Sequence, residues 1–162
     1  MDRISGWVRL WLLGLLAQRP GWDGVVCATH GALTHWIEVS ADEAVSCRSA
    51  TTLHLCRAMN GADRADEDAV SATISHPERL STDLRSAQLI KDGSAVTGHL
   101  VGAELAAMRP YWLGREVVLV SDQPGLYSTA IQAQGVPVMS YSPEELLRTG
   151  LTAIERAHGL GD

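Results

Sequence analysis

Between Gly24 and Cys47 the sequence holds three strand-like segments separated by turns of only a few residues, and nothing else in the chain constrains the fold so strongly. Gly24-Val25-Val26-Cys27-Ala28 reads as a buried strand that breaks at Thr29-His30-Gly31. His35-Trp36-Ile37-Glu38-Val39 alternates apolar and polar at period two, the pattern of a half-buried strand. Ser40-Ala41-Asp42-Glu43 supplies turn residues, and Ala44-Val45-Ser46-Cys47 continues as a third strand. Connections this short cannot hold the crossover that parallel neighbours require, so an antiparallel meander is expected.

The rest of the chain has a different grammar. Residues 7–18 suit a helix, stopped by Pro20-Gly21. Leu53, Leu55, Cys56 and Met59 suit a second, ended by Asn60-Gly61, and the acidic stretch Asp63–Asp68 reads as a loop or a helix start. Pro77 opens a helical run through Leu80, Leu84 and Ala87, Lys91-Asp92-Gly93-Ser94 reads as a loop, and a further helix is expected from about Thr97-Gly98 to just before Pro110. Glu116-Val117-Val118-Leu119-Val120-Ser121 is a continuous apolar run, typical of a strand covered on both faces. Asp122-Gln123-Pro124-Gly125 turns into a helix closed by Gly135, Val136-Pro137-Val138-Met139 reads as a short strand, and Ser142-Pro143-Glu144-Glu145 is a strong helix start. The order is β-β-β-α-β-α-β-α, an α/β fold with a mixed sheet. Residues 1–20 are expected to be an amphipathic amino-terminal helix and residues 21–162 a single α/β domain.

A chain of 162 residues is long enough for one full core. Its formal net charge of −6 argues against nonspecific nucleic-acid binding and against a polybasic membrane surface. Lys91 is the only lysine, so a P-loop lysine motif has no place elsewhere. Cys27, Cys47 and Cys56 are an odd number without CxxC spacing and read as buried thiols in a reducing compartment. The apolar run Trp7–Ala17 is interrupted by Arg9 and is too short to span a bilayer. A cytoplasmic chain without nucleic-acid or membrane partners is expected.

Four places carry candidate chemistry. The turn around Gly31 and Thr34, between two strands, can offer backbone N–H groups and a hydroxyl to a phosphate, or be an ordinary hairpin. Asp122 ends a buried strand, where open α/β sheets place ligands, and Gly125 opens the following helix; equally, Asp122 can simply cap that helix. Glu104 lies on an otherwise apolar helix face beside Gly102, so its carboxylate faces either a ligand cleft or solvent. Cys27, His30, His35, His54 and Cys56 include soft metal ligands but show no metal-site spacing, so no metal site is expected.

A meander leading into alternating helices and parallel strands resembles the ribonuclease-H-like arrangement of actin-type ATPases and sugar kinases. Within that group, Gly24–Ala28 with the Gly31…Trp36 turn, Gly98-His99-Leu100-Val101-Gly102-Ala103-Glu104-Leu105, and Val117–Asp122 followed by Leu126-Tyr127 resemble the carboxy-terminal half of the 2-dehydro-3-deoxygalactonate kinases. The resemblance runs from about Leu12 onward. It implies transfer of the γ-phosphate of ATP, with Mg2+, to the 6-hydroxyl of a sugar acid, 2-dehydro-3-deoxygalactonate, in galactonate breakdown. It places Gly31 and Thr34 in the second phosphate-binding turn. Asp122, Gly125 and Tyr127 fall near the nucleotide, and His35, Gly98, Gly102 and Glu104 along the cleft.

The departures bear on activity. The family pattern Pro-Gly-Thr-His-Ser-Lys-Trp is here His30-Gly31-Ala32-Leu33-Thr34-His35-Trp36, and Met-Thr-Gly-Glu-Leu is here Thr51-Thr52-Leu53-His54-Leu55. The acidic stretch before the Leu-Leu-Gly segment is here Trp7-Val8-Arg9-Leu10-Trp11. The family's amino-terminal lobe has no counterpart, and no general base can be placed. Half a cleft cannot hold acceptor and γ-phosphate in line. The resemblance therefore implies a chain inactive alone, completed by an amino-terminal lobe or associating as a homodimer. A non-catalytic truncated relative, or a nucleotide- or small-molecule-binding α/β domain, is the alternative.

Overall fold

The computed structural model describes residues 3–159. In chain order the elements are α1 (Gly6–Gln18), β1 (Gly24–His30), β2 (Leu33–Ser40), β3 (Glu43–Ala50), α2 (Thr52–Ala58), α3 (Glu67–Ser75), a 3-10 turn (Pro77–Arg79), α4 (Leu80–Leu89), α5 (Gly93–Ala107), α6 (Arg109–Trp112), β4 (Val117–Val120), α7 (Gly125–Gln132), β5 (Val138–Tyr141) and α8 (Pro143–Ala157). The five strands form one mixed sheet in the order β3-β2-β1-β4-β5. The meander is present: β1 runs antiparallel to β2 and β2 to β3. β1 and β4 are parallel, as are β4 and β5. Ala41 and Asp42 both take positive φ, the twist that a two-residue hairpin between β2 and β3 demands.

Alternation along the strands divides the core between two faces. Val25, Cys27, Trp36, Val117 and Leu119 point toward α3, α5 and α7, where they meet Val70, Val101, Leu105 and Ile131. Val26, Ala28, Ile37, Val118 and Val120 point the other way, onto Val8, Trp11, Leu12 and Leu15 of α1 and Leu146 of α8. Helices thus cover both faces, which is why β4 reads as an unbroken apolar run. α2 and α4 add an outer layer on α5 through Cys56, Leu84, Ala87, Val96 and Leu100.

Several boundaries differ from the sequence reading. α5 starts at Gly93, within the stretch expected as a loop, because the Asp92 carboxylate accepts from the backbone N–H groups of Ser94 and Ala95 at 3.0 Å each. β5 starts at Val138, two residues late, because Pro137 has no N–H for the ladder and contributes only its carbonyl, to Val117. β2 and β3 extend beyond the expected strands, to Leu33–Ser40 and Glu43–Ala50. At the last helix the expectation holds: Ser142 caps it, accepting from the Glu145 N–H at 3.1 Å, with Pro143 in the first turn.

α1 and α8 cross where neither has a side chain. A Cβ at Gly14 would sit 2.0 Å from the Leu146 carbonyl oxygen, and one at Gly150 would sit 2.2 Å from that of Leu10. These atoms are backbone, so the helices themselves would have to separate. Gly14→Ala is therefore expected to destabilise the fold by about 1–3 kcal/mol. Gly6→Ala, on the same helix with nothing within 4 Å, serves as the neutral control. Urea midpoints of the two variants against wild type check this.

Candidate functional site

β1 and β4 are parallel neighbours, and both run toward Thr29 and Ser121. Their carboxyl ends open into a groove of about 190 Å³, lined by Thr29, Gly31, Leu53, Arg57, Ser121, Asp122, Gln123, Leu126 and Tyr127. Beyond Gln123 and Leu126 a second hollow of about 390 Å³ continues between α3 and α7, with Ala65, Val70, Gly125 and Ala130 in its wall. A larger depression of about 520 Å³ lies among α2, α4 and α5, but no strand residue lines it. The position at strand ends, rather than volume, marks the first groove as the candidate site.

The groove has a hydroxylated floor. Thr29 Oγ1 donates to Ser121 Oγ at 2.7 Å, tying the ends of β1 and β4 together. Ser121 Oγ also accepts from the Gln123 N–H at 3.0 Å, so its own hydrogen remains available to a ligand. Asp122 does not cap α7, which starts without a side-chain cap. Asp122 is exposed and lines the groove, as does the exposed Arg57. Gly31 takes a φ of +65°, with nothing within 4 Å of where a Cβ would stand, so its backbone is open to an approaching anion.

Beneath the groove lies a buried carboxylate. Glu104, on α5, is 4% exposed and accepts from Trp36 Nε1 at 2.7 Å and from the Tyr127 hydroxyl at 2.8 Å. Having given its hydrogen to Glu104, the phenol oxygen accepts from Thr34 Oγ1 at 2.9 Å. Burial pushes the Glu104 carboxyl above its ordinary range, and hydrogen bonds from Thr52, Trp36, Tyr127 and Thr34 oppose that shift. Burial, and then the Glu104 charge, also hold the Tyr127 phenol and the Cys27 thiol well above their usual values.

The residues singled out from sequence fall into three groups. Gly31, Asp122 and Tyr127 share the groove, with Gly125 in the adjoining hollow. Thr34 and Glu104 lie under it, joined through Tyr127. His35, Gly98 and Gly102 are elsewhere. His35 lies on the same sheet face as Ile37 and Val39, with Nδ1 2.8 Å from Ser49 Oγ. Gly98 and Gly102 let α5 approach α3: a Cβ would stand 2.5 Å from the Asp66 carbonyl oxygen and 2.6 Å from that of Val70. Sequence reasoning missed Thr29, Ser121 and Arg57 as groove residues. Thr29 and Ser121 carried a signal, each being a hydroxyl at the carboxyl end of an apolar strand, whereas Arg57 carried none. Among the described residues no group of three or more His, Cys, Asp or Glu is placed to hold a metal ion.

Because burial raises the Glu104 pKa, the folded chain keeps this proton at pH values where the unfolded chain has lost it. The stability from this site is full below the unfolded value and is lost as pH rises through the folded one. Glu104→Gln is therefore expected to gain on wild type as pH rises through that window, which urea midpoints from about pH 4 to about pH 8 would follow. Glu104→Ala orphans the Trp36 N–H and the Tyr127 hydroxyl and is expected to cost about 3 kcal/mol at the acid end of that span, and less as pH rises.

Set against known proteins, residues 10–154 match the family model of the 2-keto-3-deoxy-galactonokinases. No curated protein matches the chain. Among solved structures, the crystal structure of a candidate 2-dehydro-3-deoxygalactonokinase from Sinorhizobium meliloti is similar, with a TM-score of 0.83 and 26% sequence identity. The alignment covers 97% of this chain and 61% of that one, so the chain spans about three fifths of that relative's length. A match extending from within α1 to within α8 takes in all five strands, and the chain belongs to the 2-keto-3-deoxy-galactonokinase family.

Proposed function

We propose that this chain is the nucleotide-holding lobe of a sugar-acid kinase, with a ribonuclease-H-like fold of the actin-type ATPases. The observation that carries the reading is the groove at the carboxyl ends of β1 and β4, where Gly31, Ser121, Asp122 and Tyr127 converge. In this reading the groove takes the phosphates of ATP, and the hollow between α3 and α7, with Gly125 at its edge, takes the adenosine. The larger hollow falls within the ~300–1,000 Å³ of small-molecule sites, and the groove is sized for a polyphosphate tail. The acceptor is 2-dehydro-3-deoxygalactonate, phosphorylated at its 6-hydroxyl in galactonate breakdown in the cytoplasm. The domain is residues 21–162, with the helix in residues 1–20 packed onto it.

The residues fit such a ligand. The Gly31 backbone and the Ser121 hydroxyl can donate to phosphate oxygens, and Asp122 can order the water shell of Mg2+. Mg2+ commonly binds through one or two carboxylates plus substrate phosphates, which suits a groove with a single carboxylate. Bound there, Mg2+ would neutralise charge on the transferring phosphoryl group. Tyr127, held by Glu104 and Thr34, fixes the wall of the groove. Positioning the acceptor needs an amino-terminal lobe on the same or another polypeptide, so residues 1–162 alone are expected to bind nucleotide without turnover. The turn from His30 to Trp36 favours a second reading, a non-catalytic relative. Ala32 and Leu33 offer no polar side chain there, and His35 lies on the opposite face of the sheet.

Calorimetric titration with Mg-ATP, with and without the sugar acid, tests the proposal. Saturable one-site binding, weakened about tenfold in Asp122→Ala, is the expected result. The absence of heat up to millimolar nucleotide, from protein shown to be folded, sinks it. Phosphorylation of the sugar acid once an amino-terminal lobe is added separates the kinase reading from the non-catalytic one.

A further inference from the structure

The turn between β1 and β2 brings no cation to the groove. Ala32 and Leu33 are apolar, Thr34 is buried against Tyr127, and His35 points to the other face of the sheet, beside Ser49. A groove for a polyanion would then rest on hydroxyls, one open backbone and a carboxylate, Asp122, of the wrong sign. The charge comes instead from the next helix.

Cys56 turns inward from α2 onto α5, and its neighbour Arg57 lies exposed in the last turn of α2. One arm of the guanidinium, Nη2, donates to the Gly31 carbonyl oxygen at 3.2 Å. That single hydrogen bond sets Arg57 over the turn and leaves the rest of its five-donor fork uncommitted. Among the described residues Arg57 forms no ion pair with a carboxylate, and it is the only cation lining the groove. A planar fork in a groove that also holds the Gly31 turn and the Thr29 and Ser121 hydroxyls matches two oxygens of one phosphate group.

We propose that Arg57 is the anion-binding residue of this groove and clamps a terminal phosphate of a nucleoside polyphosphate against Gly31 and Ser121. The assignment rests on reading the groove as a phosphate site, but it can fail separately. Its charge, and not only its hydrogen bond to Gly31, carries the role.

The test uses the whole chain and two probes, Mg-ATP and inorganic tripolyphosphate, titrated into wild type, Arg57→Ala, Arg57→Gln and Arg57→Lys at low and moderate salt. Wild type is expected to bind both, more weakly as salt rises. Arg57→Ala and Arg57→Gln are expected to lose about tenfold or more for either probe and most of the salt dependence, while adenosine binding stays unchanged. Arg57→Lys, which keeps the charge without the fork, is expected to fall between. Unfolding midpoints equal to wild type show that the variants are folded. Equal affinity of Arg57→Ala and wild type for both probes overturns the assignment and leaves the nucleotide reading standing. Wild-type affinity in Arg57→Gln also overturns it, because glutamine can hold the Gly31 carbonyl without a charge. Binding of tripolyphosphate but not ATP, lost in Arg57→Ala, keeps Arg57 as the anion site and ends the nucleotide reading. Failure of wild type to bind either probe ends both.

Discussion

The Glu104 carboxylate is the contact on which the site depends. It stands in the apolar layer between the sheet and α5, where an unsatisfied charge would cost several kcal/mol, ~3 or more. Trp36 from β2 and Tyr127 from α7 both turn to it, and Thr34 closes the chain of bonds behind Tyr127. Three elements far apart in sequence thereby share one acceptor group. α7 cannot shift without breaking the Tyr127 bond, so the groove wall formed by Leu126 and Tyr127 is fixed by a group that does not itself line the groove. Among the described residues no buried side-chain polar atom lacks a partner, which is the condition for such a network to hold.

Glycine sets the thickness of both helical layers. On one face α1 and α8 meet at Gly14 and Gly150; on the other, α5 meets α3 at Gly98 and Gly102. Backbones this close bring the helices near enough for Val70 and Val101 to share one cluster with Trp36 and Leu119. Gly98 and Gly102 thus act on the site indirectly, by seating the helix that carries Glu104.

Much of this architecture was legible in the sequence because period and turn chemistry act locally. The strand alternation around Trp36, the unbroken run Val117–Val120 and the Ser142-Pro143 start each report an environment through neighbouring residues. Asp122 and Gly31 were legible as residues of the strand-end groove for the same reason: each lies just past the end of a strand. Glu104 was found but left between cleft and solvent, since its partners Trp36 and Tyr127 come from β2 and α7 and no local pattern announces them. Gly98 and Gly102 looked like cleft residues because a small side chain reads the same whether a ligand or another helix approaches it. Arg57 was silent, being an ordinary cation at a helix end until the fold carries Gly31 to it.

The pairing of α1 with α8 also bears on how the molecule is made. One face of the sheet is covered by α1 and α8, and Leu146 of α8 completes the cluster that holds Val26, Val118 and Val120. During synthesis α1, β1 and the meander leave the ribosome long before α8 exists, so that face stays open while the chain between Ala50 and Pro143 is added. The growing chain must tolerate an exposed stripe of Trp11, Leu12 and Leu15 throughout that interval, a stretch that chaperones bind readily. The docking of α8 is therefore what closes this face, and until it docks the sheet and α1 present a sticky surface.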